Sequence, residues 1–218
     1  MIIRKAGRPV RLALAASGTI ALLLTACGNT DGQATALSRK QAQAALPDRE
    51  ALPGWRTLSE PGVVSTKGGG RETACRGKDK ACKDSRFYST ANFTRDDKKV
   101  TAGFSLIAYK NEQAAQAAYD VLWKVHRRSL GAKASKPKLD TGDRSNARLG
   151  TIGFKGEPGE VVQLRVGANL AWVHIRGAAK GAFDHRLATD LATVLTDRTQ
   201  QAQSGKTPSA GLSQGGTP

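Results

Sequence analysis

Residues that carry metal and redox chemistry are scarce in this chain of 218 residues. It has three His, three Cys and one Met. His126, His174 and His185 lie too far apart to form a His-x-x-x-His ligand pair, and the cysteines include no Cys-x-x-Cys pair. The sequence therefore indicates neither a zinc site nor thiol redox chemistry, and we predict no metal and no cofactor.

Catalytic motifs are missing or out of place. Gly-x-Ser-x-Gly occurs at 211–215, in a polar tail without the preceding strand and following helix that a nucleophile elbow needs. Carboxylates cluster in turns, as Asp96 and Asp97 do, whereas a glycosidase holds two of them across a cleft. We therefore predict a protein that is not an enzyme. A hydrolase whose catalytic residues are distant in sequence is the alternative.

Acidic residues are few compared with basic ones. The chain has 34 Lys and Arg against 18 Asp and Glu, which gives a net charge of +16. Such an excess predicts attraction to anionic partners, for example phospholipid head groups or wall polymers, with solubility alone as the alternative interpretation. No basic motif interleaved with aromatic residues is present, so we predict that nucleic acid is not a partner.

The first 30 residues have the pattern of a bacterial lipoprotein signal. Basic residues stand at 4, 5, 8 and 11, and no charged residue occurs from Leu12 to Thr30. The apolar run ends in Leu24-Thr25-Ala26-Cys27, the pattern of a lipobox. An uncleaved membrane-spanning helix is the alternative. We predict Sec export and acylation of Cys27, with palmitate among its acyl chains. The lipid would anchor the protein to the outer face of the cytoplasmic membrane.

The two remaining cysteines form an even pair. With Cys27 assigned to lipid, Cys75 and Cys82 are left in a chain that is predicted to be exported. An even number of cysteines in that compartment indicates a disulfide.

The rest of the sequence alternates between strand-like and helix-like patterns. Amphipathic spacing predicts long helices over 111–130 and 183–202, after a short helix capped by Ser38. Alternating apolar residues predict strands at 55–58, 86–94, 99–110, 149–155, 160–166 and 170–176. Hairpins imply an antiparallel sheet. We predict an α+β fold, in which a hairpin and a meander form one antiparallel sheet covered on one face by the two main helices.

These patterns divide the chain into four parts. We predict a signal peptide over 1–26, a lipidated Cys with a polar tether and short helix over 27–50, a single α+β domain over 51–202, and a disordered tail over 203–218.

Basic residues are concentrated around the end of the first long helix. They are predicted to share one side of the fold, because the helix and the following crossing are adjacent in sequence. Cations in the last turn of a helix also stabilise its dipole, which is the alternative explanation. The candidate anion-binding residues are Lys124, Arg127, Arg128, Lys133, Lys136 and Lys138.

Several segments together resemble actinobacterial lipoproteins with a sensor-like domain. Between the lipobox and a closing amphipathic helix stand LPGW at 52–55, FSLIAYKNEQAAQAAYDVLWK at 104–124, TGDRSNARLG at 141–150 and VVQLRVGANLAWVHIRG at 161–177. Such lipoproteins are similar to the extracellular sensor domain of mycobacterial receptor Ser/Thr kinases. The resemblance implies an α+β domain with a cleft that binds an unidentified small molecule or protein.

The sequence thus predicts a cell-surface lipoprotein with a non-catalytic binding or sensing domain, which associates with anionic wall polymer or lipid head groups. A cell-envelope hydrolase and a purely structural envelope protein are the alternatives.

Overall fold

The computed structural model describes residues 36–67, 70–75, 78–131, 133–153, 155–179 and 181–213. The predicted signal peptide, Cys27 and residues 214–218 lie outside the described residues. None of the helices in the described part is long and apolar enough to cross a membrane.

Six strands in the described part of the chain form one antiparallel sheet. The strand order across the sheet is β1-β2-β3-β6-β5-β4, so β1 and β4 are the outer strands. The strands are β1 Arg56–Ser65, β2 Ser85–Arg95, β3 Val100–Tyr109, β4 Arg144–Ile152, β5 Glu157–Val166 and β6 Asn169–Gly177. The predicted α+β class is confirmed, as are the hairpin β2–β3 and the meander β4–β5–β6.

Four α-helices accompany the sheet in the described residues. They are α1 Arg39–Ala44, α2 Gly70–Cys75, α3 Glu112–His126 and α4 His185–Gln203, with short 3-10 helices at Asp79–Cys82 and Arg127–Ser129. The Asn111 side chain caps α3 by accepting a hydrogen bond from the amide of Ala114, at 2.9 Å. Asp184 caps α4 in the same way, through the amide of Leu187 at 3.0 Å.

The two long helices lie on opposite faces of the sheet. Helix α4 packs on the face that carries Phe104 and Leu106, whereas α3 packs on the face that carries Ile107 and Tyr109. The prediction that both helices cover one face is therefore corrected. The physical reason is that β3 is apolar at successive positions, so both of its sides need a covering layer.

The first strand is longer than the sequence indicates. Pro61 and Gly62 suggest a loop, but both belong to β1, which pairs with β2 through two irregularities in register. Pro61 is tolerated because β1 is an outer strand, where a missing amide proton need not break a ladder hydrogen bond.

A disulfide joins Cys75 to Cys82, as predicted, with their Cα atoms 5.7 Å apart. Both cysteines are buried in the apolar cluster between α3 and the sheet. The hydroxyl of Tyr109 donates a hydrogen bond to the Ala81 carbonyl at 2.7 Å. The cysteine loop is thereby attached to the central strand β3.

The packed domain extends beyond the predicted boundaries at 51 and 202. Leu37 and Leu46, in the segment expected to be a tether, belong to the core beneath α4. In the segment expected to be disordered, Leu212 packs against the same core and donates its amide to the Ala51 carbonyl at 2.8 Å. Polar composition suggested a free tail, but Leu212 and backbone hydrogen bonds hold the described part of it, up to residue 213, against the domain.

Candidate anion-binding cleft

A cleft lies along the outer edge of β4, below the end of α3. The chain after α3 runs antiparallel to β4, where Ser135 pairs with Leu149, and then separates from the strand. The resulting cavity has a volume of about 340 Å³ and is lined by Trp123, Arg127, Lys136, Pro137, Lys138, Leu139, Ser145, Asn146, Ala147 and Arg148.

The lysine-bearing wall of the cleft, residues 136–139, is attached at both ends. The amide of Ser135 donates to the Leu149 carbonyl at 2.7 Å, and the amide of Leu149 donates back at 3.1 Å. At the other end, the Ser145 hydroxyl donates to the Leu139 carbonyl at 2.9 Å. The wall is therefore a bridge between two anchored points rather than a free loop.

The wall of the cleft on the β4 side, opposite residues 136–139, is held by a network of buried polar side chains. The Gln163 side chain accepts from the indole of Trp172 at 2.7 Å and donates to the Tyr119 carbonyl at 2.8 Å. Asn146, which lines the cleft, donates to the Tyr119 hydroxyl at 2.9 Å. Burial raises the pKa of Tyr119 to about 12, so this hydroxyl stays neutral. The network connects α3 to β4, β5 and β6 and thereby holds the elements that form the cleft in position.

The charges that line the cleft are all positive. Arg127, Lys136, Lys138 and Arg148 border the cavity, and no Asp or Glu is among the described residues that line it. None of these four side chains forms an ion pair within the described part of the chain. By contrast, Arg144, on the same strand as Arg148, contacts both carboxylate oxygens of Asp120 at 3.2 and 2.7 Å.

Arg148 is the least compensated of these cations. Its side chain is half-buried, and its Nε atom is buried without a hydrogen-bond partner among the described residues. Burying a charged donor without a partner is costly. An anion in the cleft would offset part of that cost by placing negative charge beside the guanidinium.

The structure brings together part of the predicted basic group. Arg127, Lys136 and Lys138 meet at the cleft, whereas Lys124, Arg128 and Lys133 are exposed and do not line it. Sequence reasoning missed Arg148, because it started the fourth strand at 149 instead of 144. The signal was present in the alternation of the strand, which places Arg144, Asn146 and Arg148 on one face.

A second hollow lies on the α3 face of the sheet, between α2 and the end of α3. Its volume is about 130 Å³, and its lining includes Tyr88, Asn92, Gly103, Ser105, His126 and His174. Two of its polar side chains have side-chain partners, since Asn92 donates to the Ser59 hydroxyl at 2.8 Å and Tyr88 lies 3.5 Å from the Ser105 hydroxyl. The described residues that line this hollow include no Lys, Arg, Asp or Glu, so it is a weaker candidate for an anion site than the basic cleft.

A hydroxyl, an imidazole and a carboxylate stand in a row beside the lysine-bearing wall. His185 Nδ1 lies 2.6 Å from Glu160 Oε1, and His185 Nε2 lies 3.4 Å from the Thr189 hydroxyl. A nucleophilic triad would need an unprotonated Nε2. Here Nε2 also faces the Lys138 carbonyl at 3.1 Å, which can only accept, so Nε2 carries the proton.

Thr189 is also occupied, because its hydroxyl donates to the His185 carbonyl at 3.0 Å. In this hydrogen-bonding arrangement Nε2 is therefore not available as a base for Thr189. Within the described residues, no group of three or more His, Cys, Asp and Glu could hold a metal ion.

These features define the class of protein as an α+β domain with one open antiparallel sheet, a long helix on each face and a basic cleft at one edge. The fold is similar to that of a solved structure, the extracellular domain of PknH from Mycobacterium tuberculosis. The match has a TM-score of 0.52 and 9% sequence identity, and covers 77% of this chain and 99% of that one.

At this identity the likeness shows the fold alone, and the resemblance to the extracellular sensor domain of mycobacterial receptor kinases is confirmed at that level. No protein-family model matches the sequence, and no curated protein matches it.

Two turns that lie within the segments carrying the sequence resemblance, at 141–150 and 161–177, contact each other in the structure. Asp143, in the Gly-Asp turn before β4, accepts a hydrogen bond from the Gly167 amide at 2.7 Å. It also pairs with Arg165 at 3.2 Å. Gly142 and Gly167 both have positive φ, of 69° and 52°, which glycine adopts without strain. The two motifs therefore form one structural joint at the end of the meander.

Proposed function

We propose that this protein is a lipid-anchored, non-catalytic sensing or binding protein of the bacterial cell surface, and that its domain binds an anionic ligand in the basic cleft. The observation that carries the proposal is the cluster of Arg127, Lys136, Lys138 and Arg148 around one cavity, without a lining carboxylate among the described residues.

The composition of the cleft favours a phosphate-like anionic group. Arg127 and Arg148 offer planar guanidinium donors that can hold two anion oxygens at once, while Lys136 and Lys138 supply mobile point charges. Trp123, Ser145 and Asn146 add an aromatic surface and neutral hydrogen-bonding groups. Phosphodiester groups of lipid heads and of anionic wall polymers share this chemistry.

Two further observations support the location. The N-terminal residues have the order of a lipoprotein signal that ends at Cys27. The fold is similar to a domain described as extracellular. A position next to the membrane and wall would place the cleft among anionic lipids and polymers.

The proposal is tested by binding measurements on two charge-matched variants of the chain beginning at Gly28. R127E/R148E changes two lining residues, and K124E/R128E changes two exposed residues outside the cleft. We expect the first variant to lose about a hundredfold in affinity, because two charged hydrogen-bonding groups of about 1.5 kcal/mol each are lost. The second should lose less than about tenfold.

The unchanged chain and both variants are mixed with phosphatidylglycerol vesicles in one arm and with purified anionic wall polymer in the other. The arm in which the unchanged chain binds identifies the source of the phosphodiester. Equal losses in the two variants would reduce the cleft to diffuse surface charge. If the unchanged chain binds in neither arm at low salt, where the Debye length is about 30 Å at 0.01 M, the proposal is overturned.

A further inference from the structure

His185 connects the core of the domain to the lysine-bearing wall of the cleft. Its Nδ1 atom lies 2.6 Å from Oε1 of Glu160, which belongs to β5 and is fully buried. Its Nε2 atom lies 3.1 Å from the backbone carbonyl of Lys138, whose side chain lines the cleft. The imidazole is thus a clasp between a central strand and residues 136–139.

The two contacts fix the number of protons in the clasp. A carbonyl oxygen only accepts, so Nε2 must donate to Lys138. A distance of 2.6 Å between Nδ1 and Oε1 then requires one proton between these two atoms. It resides on His185 as an imidazolium or on Glu160 as a carboxylic acid. If that proton leaves, only one proton remains on the ring, and it can serve only one of the two acceptors. The charged carboxylate of Glu160 holds it at Nδ1, so Nε2 turns a lone pair toward the Lys138 carbonyl and that hydrogen bond is lost.

The surroundings favour retention of this proton. Burial raises the pKa of Glu160, whose second oxygen, Oε2, has no hydrogen-bond partner among the described residues. Burial alone lowers the pKa of His185, but the hydrogen bonds to the Lys138 carbonyl and to Glu160, with the charges of Glu160 and Asp184, raise it overall. These charged groups come from β5 and from the residue that caps α4.

We propose that His185 is a positioning residue of the anion cleft, which holds the Lys138 wall in its binding position only while the His185–Glu160 pair keeps its shared proton. The inference rests on the proposed anion binding. Because the pKa of His185 is raised above 6.5, the clasp is fully formed below that value. It opens as the pH rises through the raised pKa, and the cleft loses affinity there.

Glu160→Gln separates this role from a merely structural one. The Gln amide can donate to Nδ1 of a neutral His185, whose Nε2–H still reaches the Lys138 carbonyl. In this variant the contact between residue 160 and His185 therefore no longer depends on the shared proton of the His185–Glu160 pair. His185→Ala removes the clasp at every pH.

The experiment measures sulfate binding to the mature lipoprotein in neutral detergent from about pH 6 to about pH 9. Sulfate keeps its charge over this range, so the probe itself doesn't titrate. We expect wild-type affinity to fall about tenfold across the range, within the usual size of coupling between two sites. E160Q should keep its affinity throughout. H185A should bind weakly with little pH dependence.

The outcomes separate the two proposals. If the wild type fails to bind sulfate at about pH 6, the proposed anion cleft fails. If it binds, but wild type and E160Q have the same pH profile, the cleft stands and the role of His185 is overturned. The histidine pKa measured by NMR provides a second readout, because E160Q should lower the pKa of His185. An unchanged pKa would contradict the shared proton even if H185A does not fold.

Discussion

Arg198 on α4 joins three parts of the chain through one buried guanidinium. Its side chain is 4% exposed. It donates to the carbonyls of Ala44 at 3.2 Å, Leu46 at 3.1 Å and Ala210 at 3.1 Å, and it pairs with Asp48 at 2.7 Å. This residue therefore connects helix α1, the segment after it and the C-terminal tail to α4.

Replacement of Arg198 by Met keeps most of the apolar stem but removes these donors. We expect the free energy of unfolding to fall by about 2 to 3 kcal/mol, because buried carbonyls lose their partners while the half-exposed Asp48 regains water. Urea denaturation measures the change. Arg186→Met, at an exposed position of the same helix, is the control and should change stability by less than about 0.5 kcal/mol. Similar effects of both substitutions would contradict this role of Arg198.

Single residues of the cleft were only partly predictable. Arg127, Lys136 and Lys138 were found because they are close in sequence. Arg148 was missed because its position depends on how β4 pairs with β5 and on where the strand begins. The His185–Glu160 contact joins residues 25 positions apart in sequence, and no local pattern relates them.

At the scale of elements, the cysteine loop is attached to the sheet by its disulfide. The bond joins the end of α2 to the end of the 3-10 helix Asp79–Cys82, and both pack against α3 and β3. Replacement of both cysteines by Ala should lower the free energy of unfolding by about 2.5 kcal/mol, as expected for a short loop.

Hydrogen exchange should locate the effect of that double substitution in residues 70–75 and 78–84. Sulfate binding at the cleft should not change, since the cleft shares no lining residue with the loop. Wild type under reducing conditions should lose the same stability. If the variant is as stable as oxidised wild type, the loop does not need its disulfide.

Most elements were predictable where periodicity is strong. The hairpin β2–β3, the strand β6 and both long helices follow directly from alternating or amphipathic patterns. The second half of β1 was not, because Pro61 and Gly62 are typical of loops and only the outer position of the strand makes them acceptable.

At the scale of the whole molecule, the arrangement of layers depends on pairings that sequence does not reveal. The sheet order places β6 beside β3, although more than fifty residues separate them. Both strands then lie in the centre, where each face needs a helix. The fold class followed from the element order, whereas the positions of α3 and α4 on opposite faces required the pairing of β3 with β6.

The predicted anchor concerns the whole molecule as well. Cys27→Ala should abolish incorporation of labelled palmitate and release the protein from the membrane fraction, because acyl chains on Cys27 supply the apolar area for anchoring. Cys75→Ala is the control and should leave palmitate incorporation intact. Labelled palmitate in the Cys27→Ala protein would contradict the lipoprotein assignment.

The proposed function rests on anion binding in the cleft between the end of α3 and β4. It is tested most directly by NMR of the arginine Nε–H groups during a sulfate titration of the chain beginning at Gly28. We expect saturable shifts for Arg127 and Arg148, which line the cavity, and none for the exposed Arg128. Equal shifts at all three arginines, or shifts that never saturate, would contradict it.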